Sequence, residues 1–268
     1  MAKAFAIKTL AVAGIFFALW FGVAPWSYAS AGAILAGALA LIAWGVFNVN
    51  SSLWAPTLFQ VPGSKAVALT FDDGPDSTFT PRVLEILARE KVHATFFIVG
   101  ERAKMNPQLL SEIDQQGHLL GNHSFSHAWN INFSLHGRLT HEITACQEAI
   151  KAATGKEPRF YRAPHGFKNP ATGDVLARLG LTCVGWQVRG FDAVSSNANG
   201  IARRLVLRAK SGGVLLLHDG AGLQGTSDRS ATLEALPMII EGLRARGFEF
   251  KRLDELFKTT GYLPAASS

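Results

Sequence analysis

No acidic or basic side chain occurs between Lys8 and Lys65 of this 268-residue chain. Two apolar runs fill that gap, 9–26 and 31–49, with a short polar break at 27–30 between them. Each run is close to the roughly 20 residues that a helix needs to cross a bilayer. Neither shows the polar face of a helix lying on a soluble domain, which argues against a buried soluble hairpin. We therefore expect residues 1–50 to form a transmembrane hairpin that contacts membrane lipid and anchors the chain in a bacterial-type cell membrane. A signal peptide is the competing reading, because Lys3 and Lys8 make a basic start and Ala29-Ser30-Ala31 resembles a small-residue cleavage site. Cleavage there leaves the second run attached. Lys3 and Lys8 favour a cytoplasmic N-terminus, so two crossings return the remaining chain to the cytoplasm and a single crossing places it outside.

Cysteine is scarce as well. Cys146 and Cys183 have no paired spacing, so they read as core thiols and leave the redox compartment open. Despite a formal net charge of +6, Lys and Arg are interspersed with acids and form no run that would track a phosphate backbone. Nucleic acid is not expected as a partner. The charge reads first as a solvated surface and second as proximity to anionic lipid or glycan. Internal repeats are lacking, and the one biased tract is the small-residue stretch 264–268, expected to fray, at the end of a tail read over 259–268.

What remains is a regular alternation. Residues 51–64, with Pro56, Pro62 and Gly63, read as a linker into a domain spanning 65–258. Strand-like runs fall at 66–71, 94–99, 118–122, 159–162, 181–187, 213–218 and 248–252. Helical patterns fall between them at 80–90, 107–116, 139–154, 172–179, 201–209 and 233–246. Gly follows the last periodic residue in several of these, the usual helix stop. Such alternation implies an α/β fold with parallel strands and covering helices.

Chemistry-bearing residues cluster at the strand ends. The first strand closes on Thr70-Phe71-Asp72-Asp73-Gly74-Pro75. Two adjacent carboxylates on an extended chain leave the backbone in different directions, so one is free to ligate a metal while the other acts as base. Taken alone, Asp-Gly-Pro is ordinary turn chemistry. The third strand is followed by His123-Ser124-Phe125-Ser126-His127, and two histidines four apart can present their nitrogens to one point. Two histidines with one carboxylate make a common hydrolytic metal site that leaves a position open for water. Arg162-Ala163-Pro164-His165-Gly166 closes the fourth strand, and Leu215-Leu216-Leu217-His218-Asp219 the sixth. Each of these, in isolation, is as readily a surface ion pair or a rim histidine.

Together, in this order and spacing, the four segments resemble the carbohydrate esterase family of polysaccharide deacetylases, which share the NodB homology domain. The resemblance covers about 66–256. It implies a deformed (β/α)7 barrel, matching the seven strands read above, with its site at the C-terminal rim. It implies that Asp73, His123 and His127 hold a divalent metal, usually zinc and sometimes cobalt or another ion, which polarises water and the acetamide carbonyl. Asp72 is implied as the base, oriented by Arg162, and His218 as the acid that protonates the departing amine. A backbone N–H near His165 would receive the oxyanion. Leu215 and Leu217 would line the acetyl pocket, and Asp192 would hold His218.

Two departures stand out. The family's Asp-x-x-Asp-Trp motif reads Arg189-Gly190-Phe191-Asp192-Ala193 here, which leaves Trp186 or Phe191 to wall the sugar face. His165 stands where many relatives carry Tyr. The implied reaction is hydrolysis of N-acetyl groups from a peptidoglycan or chitin-like glycan, with a lipid-linked amino sugar as the alternative substrate. A haloacid-dehalogenase-type phosphatase fits less well, because its two aspartates are separated by one residue. A non-catalytic glycan-binding relative should have lost a ligand or the base, and none is missing.

Overall fold

A computed structural model describes residues 2–21, 25–220 and 228–264. The last four positions of the expected tail, 265–268, lie outside the described residues. The strands are β1 (Thr57–Leu58), β2 (Ala66–Asp72), β3 (Thr95–Ile98), β4 (Leu119–Asn122), β5 (Phe160–Tyr161), β6 (Thr182–Val184), β7 (Val188–Arg189), β8 (Val214–His218) and β9 (Glu249–Phe250). The helices are α1 (Ala2–Phe21), α2 (Pro25–Phe47), α3 (Thr80–Arg89), α4 (Gly100–Met105), α5 (Pro107–Gln115), α6 (His136–Thr154), α7 (Thr172–Arg178), α8 (Ala198–Arg208), α9 (Ser230–Ala245) and α10 (Leu253–Phe257).

Every strand pairing is parallel, in the order β1-β6-β5-β4-β3-β2-β8-β7, with β9 beside β2. Among the described residues the path ends at β1 and β7 without joining them, so the sheet is an open parallel half-barrel, where a deformed seven-stranded barrel was expected from sequence. All seven residues of β2 are buried, as a central parallel strand covered on both faces requires. Val67, Leu69 and Phe71 of β2 face the helices, in one core with Leu215 and Leu217 of β8 and with apolar residues of α3, α8 and α9. Parallel pairing brings the C-terminal ends of β2, β4, β5 and β8 to one rim. In that register Asp72 is the partner of His218.

The N-terminal part departs from expectation in two ways. One helix among the described residues, over Tyr28–Phe47, is long and apolar enough to cross a membrane, where a hairpin of two spans was expected. The proposed break at 27–30 lies inside α2. Helix α1 packs beside α2 at Gly14 and Ile34.

The second departure is the linker. Residues 51–64 lie against the domain: Trp54 and Ala55 are buried, and β1 pairs with β6 through Thr57 opposite Cys183. Lys168 fastens this segment. Its Nζ donates to the carbonyls of Val49 (2.6 Å) and Ser51 (2.8 Å) and to Thr57 Oγ1 (2.9 Å), and the side chain is 1% exposed. Phe47, the last residue of α2, packs edge-on to Phe167 with centroids 5.2 Å apart. The start of the expected tail is also packed, because Leu263 N–H donates to Glu157 O and Tyr262 bridges to Pro158.

Lys168→Met removes a donor shared by three acceptors, of which Ser51 O alone keeps another, Thr57 Oγ1 at 3.3 Å. It should destabilise the protein by roughly 3 kcal/mol and expose the 49–57 segment to protease, measured by thermal denaturation and limited proteolysis of the full chain in detergent.

Candidate active site

The rim gathers Asp72, Asp73, His123, His127, His165, Trp186, Phe191, Leu216 and His218 around a cleft of about 870 Å³. Phe47 and Val49, from the end of α2 and just beyond it, form part of its wall.

Arg162 organises the floor. It is wholly buried just after β5, and its Nη1 donates to Asp72 Oδ1 at 2.6 Å and to Thr70 Oγ1 at 2.8 Å, while Nη2 donates to Gly185 O at 3.0 Å. Its guanidinium lies 4.0 Å from the centroid of Phe97. Asp72 is thus fixed by one oxygen, with its second oxygen turned into the cleft, 3.6 Å from His123 Nε2.

Asp73 follows with φ of 75°, which turns its side chain away from that of Asp72. Its Oδ1 lies 3.2 Å from His127 Nε2 and 3.6 Å from His123 Nε2. One ligand atom from each of Asp73, His123 and His127 falls within 4.8 Å of the others. His123 Nδ1 donates to Arg162 O at 2.8 Å, which leaves the Nε2 lone pair facing the group. Burial pushes Asp73 up, yet the His123 hydrogen bond and the charges of His218, His127 and His123 outweigh it and hold the carboxyl well below the ordinary carboxylate range. Burial and the neighbouring His123 charge pull His127 down to about 3. Burial opposes a charge on His123 too, but Asp72 and Asp73 raise its pKa, so a cation at Nε2 would take the place of a proton. One carboxylate and two imidazoles in this arrangement fit a divalent metal ion.

Opposite them stands His218. Asp192 accepts from its backbone N–H through Oδ2 (2.8 Å) and lies 3.1 Å from its ring Nδ1 through Oδ1. Thr232 Oγ1 donates to the same carboxylate at 3.0 Å. Burial alone would lower the imidazole, but the Asp192 charge and hydrogen bond, with Asp73 and Asp72 behind it, lift its pKa to about 9.

One expectation is corrected. Leu215 and Leu217 do not reach the cleft; both lie in the helix-facing core, and Leu216 lines the cleft instead. Side chains alternate along a strand, so the residue sharing a face with His218 is two positions before it. His165 and Trp186 do line the cleft, His165 with its ring 4.9 Å from that of His127.

Sequence reasoning missed several supports. Glu142, on the buried face of α6, accepts from the backbone N–H of Phe125 (3.1 Å) and Ser126 (2.8 Å) and from Ser126 Oγ (2.7 Å), fixing the loop between the two histidines. An acid among Leu139, Ile143 and Cys146 on an otherwise apolar stripe was the available signal. Asp219 is buried beneath Gly74, where any Cβ would strike its carboxylate, and Thr80 Oγ1 donates to it at 2.6 Å. Burial pushes that carboxyl up to about 7.

Residues 60–184 match the polysaccharide deacetylase family. The chain is 36% identical over 203 residues to a peptidoglycan-N-acetylglucosamine deacetylase of Bacillus cereus, covering 75% of this chain and 92% of that protein. This chain belongs to the polysaccharide deacetylase family. A chitooligosaccharide deacetylase of Sinorhizobium fredii is 35% identical, with 72% of this chain and 92% of that protein covered. Among solved structures, that of the Bc1960 peptidoglycan N-acetylglucosamine deacetylase superposes with a TM-score of 0.72 at 30% identity, covering 76% of this chain and 94% of that one.

The purified chain is expected to take up about one divalent ion per molecule, and His123→Ala and His127→Ala should each abolish this. Glu142→Ala, which only loosens the ligand loop, should weaken uptake roughly 10- to 100-fold, as read by elemental analysis after dialysis against graded metal buffers.

Proposed function

We propose that this chain is a metal-dependent hydrolase that removes N-acetyl groups from an amino-sugar glycan and releases acetate. The observation that carries the reading is the pairing of Asp72 and His218 at one level of adjacent strands beside the Asp73-His123-His127 group. A base, an acid and a ligand set for a Lewis acid face one cleft. The names of the two relatives above support an N-acetylglucosamine substrate, and peptidoglycan or a chitin-like oligosaccharide fits both.

A divalent ion, zinc by its donor set, supplies polarisation of water and of the acetamide carbonyl when held by Asp73, His123 and His127. Asp72 takes the proton from the attacking water; Arg162, donating to its other oxygen, fixes that oxygen's direction. A backbone N–H near His165 is our candidate to receive the carbonyl oxygen. His218 carries its proton to the departing amine nitrogen, and Asp192 keeps it charged and oriented for that step. Leu216 bounds the space for the acetyl methyl, and Trp186 and Phe191 wall the sugar face. We read α2 as a membrane anchor, a reading supported by its exposed Leu35, Leu39, Leu41 and Trp44 and by the fastening of its end to the domain.

Asp72→Asn should keep its metal and lose roughly 10²- to 10⁴-fold in kcat, with loss of metal from this variant counting against the division of roles between the two aspartates. His218 acts protonated, so kcat/KM should fall as pH rises through about 9. Removing the carboxylate that raises this pKa, by Asp192→Asn, should move the alkaline limb down by at least a unit in a pH profile of acetate release.

A further inference from the structure

Beside the cleft runs a second groove, of about 720 Å³, sharing Val49, Trp186, Arg189 and Phe191 with it. Four cations line it: Arg189, Arg204, Arg208 and Lys210. No ion pair is formed by any of them among the described residues. Their arrangement is built. Phe191 is clamped between the guanidinium groups of Arg189 and Arg204, each 4.2 Å from its ring centroid. Arg204 Nε donates to Arg189 O at 3.0 Å, and Arg208 lies one turn further along the same face of α8. The end of α8 does not employ these side chains as caps, because Gln187 donates to Arg208 O and Arg246 to Val206 O and Ala209 O. Desolvation and the charges of Arg208 and Arg189 disfavour the cation at Arg204, as expected of clustered cations lacking an anion.

The groove's position says where the anion comes from. Trp44, half exposed, sits one turn before Phe47, at the level where an interfacial tryptophan marks the edge of a bilayer. Phe47 and Val49 already belong to the cleft, and Val49 and Asn50 to the groove. With no free linker between span and site, both openings stand close to the lipid headgroups. In a 2-acetamido sugar the acetamide and the anomeric oxygen are on adjacent carbons. A ring seated over the Asp73-His123-His127 group with its anomeric carbon towards Trp186 and Phe191 extends its anomeric substituent into the neighbouring groove.

We propose that the groove is a phosphate subsite and that the substrate is an amino sugar joined through phosphate to a lipid of the same membrane. This rests on the deacetylase reading above and narrows its substrate. Arg204 and Arg208 bind the phosphate oxygens, Arg189 and Phe191 cover the sugar edge, and the lipid chain leaves alongside α2.

The test uses the full chain in nonionic detergent, with two probes for acetate release: N-acetylglucosamine diphosphate on a short isoprenyl chain, and a neutral chito-oligosaccharide. The isoprenyl probe should have the lower KM. In the double variant Arg208→Ala, Lys210→Ala the ratio of the two KM values should collapse by about tenfold or more, with kcat for the isoprenyl probe retained. An unchanged ratio, or equal shifts for both probes, overturns the subsite. Binding of inorganic pyrophosphate by calorimetry gives a readout without turnover. Pyrophosphate bound by the parent and lost in the variant, with no acetate released from either probe, supports the groove and overturns the deacetylase reading. Absence of pyrophosphate binding in the parent overturns the groove. Finally, if the variant loses only its attachment to phosphatidylglycerol-containing vesicles over phosphatidylcholine ones, the groove serves bilayer headgroups and the substrate assignment falls.

Discussion

A fully buried guanidinium sets the terms for this site. Arg162 has no solvent, so its charge requires a carboxylate and its remaining donors require fixed acceptors. Asp72 answers the first need, and Thr70 and Gly185 meet the second at Nη1 and Nη2 though not at Nε, which ties β2 to the loops after β5 and β6. The same residue's carbonyl orients His123. One side chain and its own peptide group thus hold both Asp72 and His123, so the two cannot drift independently.

Around this anchor the backbone departs from easy conformations. Asp73, Ser124, His127, His165 and Phe191 all have positive φ without being glycine. Each is at or beside the cleft, where such conformations are held by surrounding structure rather than by local preference. The loop carrying Ser124 and His127 shows how: Asn122 Oδ1 accepts from Ser124 N–H, and Glu142 closes the loop from outside. Rigidity of the ligands comes from helix α6 and strand β4 together.

Much of this was legible in the sequence. Strands buried on both faces read as apolar runs, and glycine stops marked the helices, so β2, β3, β4 and β8 and the long helices fell where expected. The Asp-Asp, His-x-x-x-His and Leu-His-Asp segments could be ordered along one rim because each follows a strand. Two short elements passed unread: β1, inside the stretch taken as a linker, and β7, directly after the run at 181–187 taken as one strand. Proline and glycine at 56, 62 and 63 signal a break in regular structure but say nothing about docking, which depends on the distant Lys168. The inward face of β8 was readable from His218 and the two-residue repeat, and pointed to Leu216. Glu142, an acid on the buried stripe of α6, could be read as buried, but the loop that it holds lies 16 positions away in sequence, beyond any local pattern.

The docking of residues 47–58 changes what counts as the domain. Family likeness begins at residue 60, yet Phe47 and Val49 wall the cleft and β1 extends the sheet. A fragment started at the family border would keep Asp72, Asp73, His123, His127 and His218 and still lack one wall of the cleft, along with a strand on the sheet's edge. The family match and the completeness of the cavity have different boundaries in this chain. The segment before residue 60, which the family match does not include, is where the shape of the cleft can change while the Asp72-to-His218 rim is left alone.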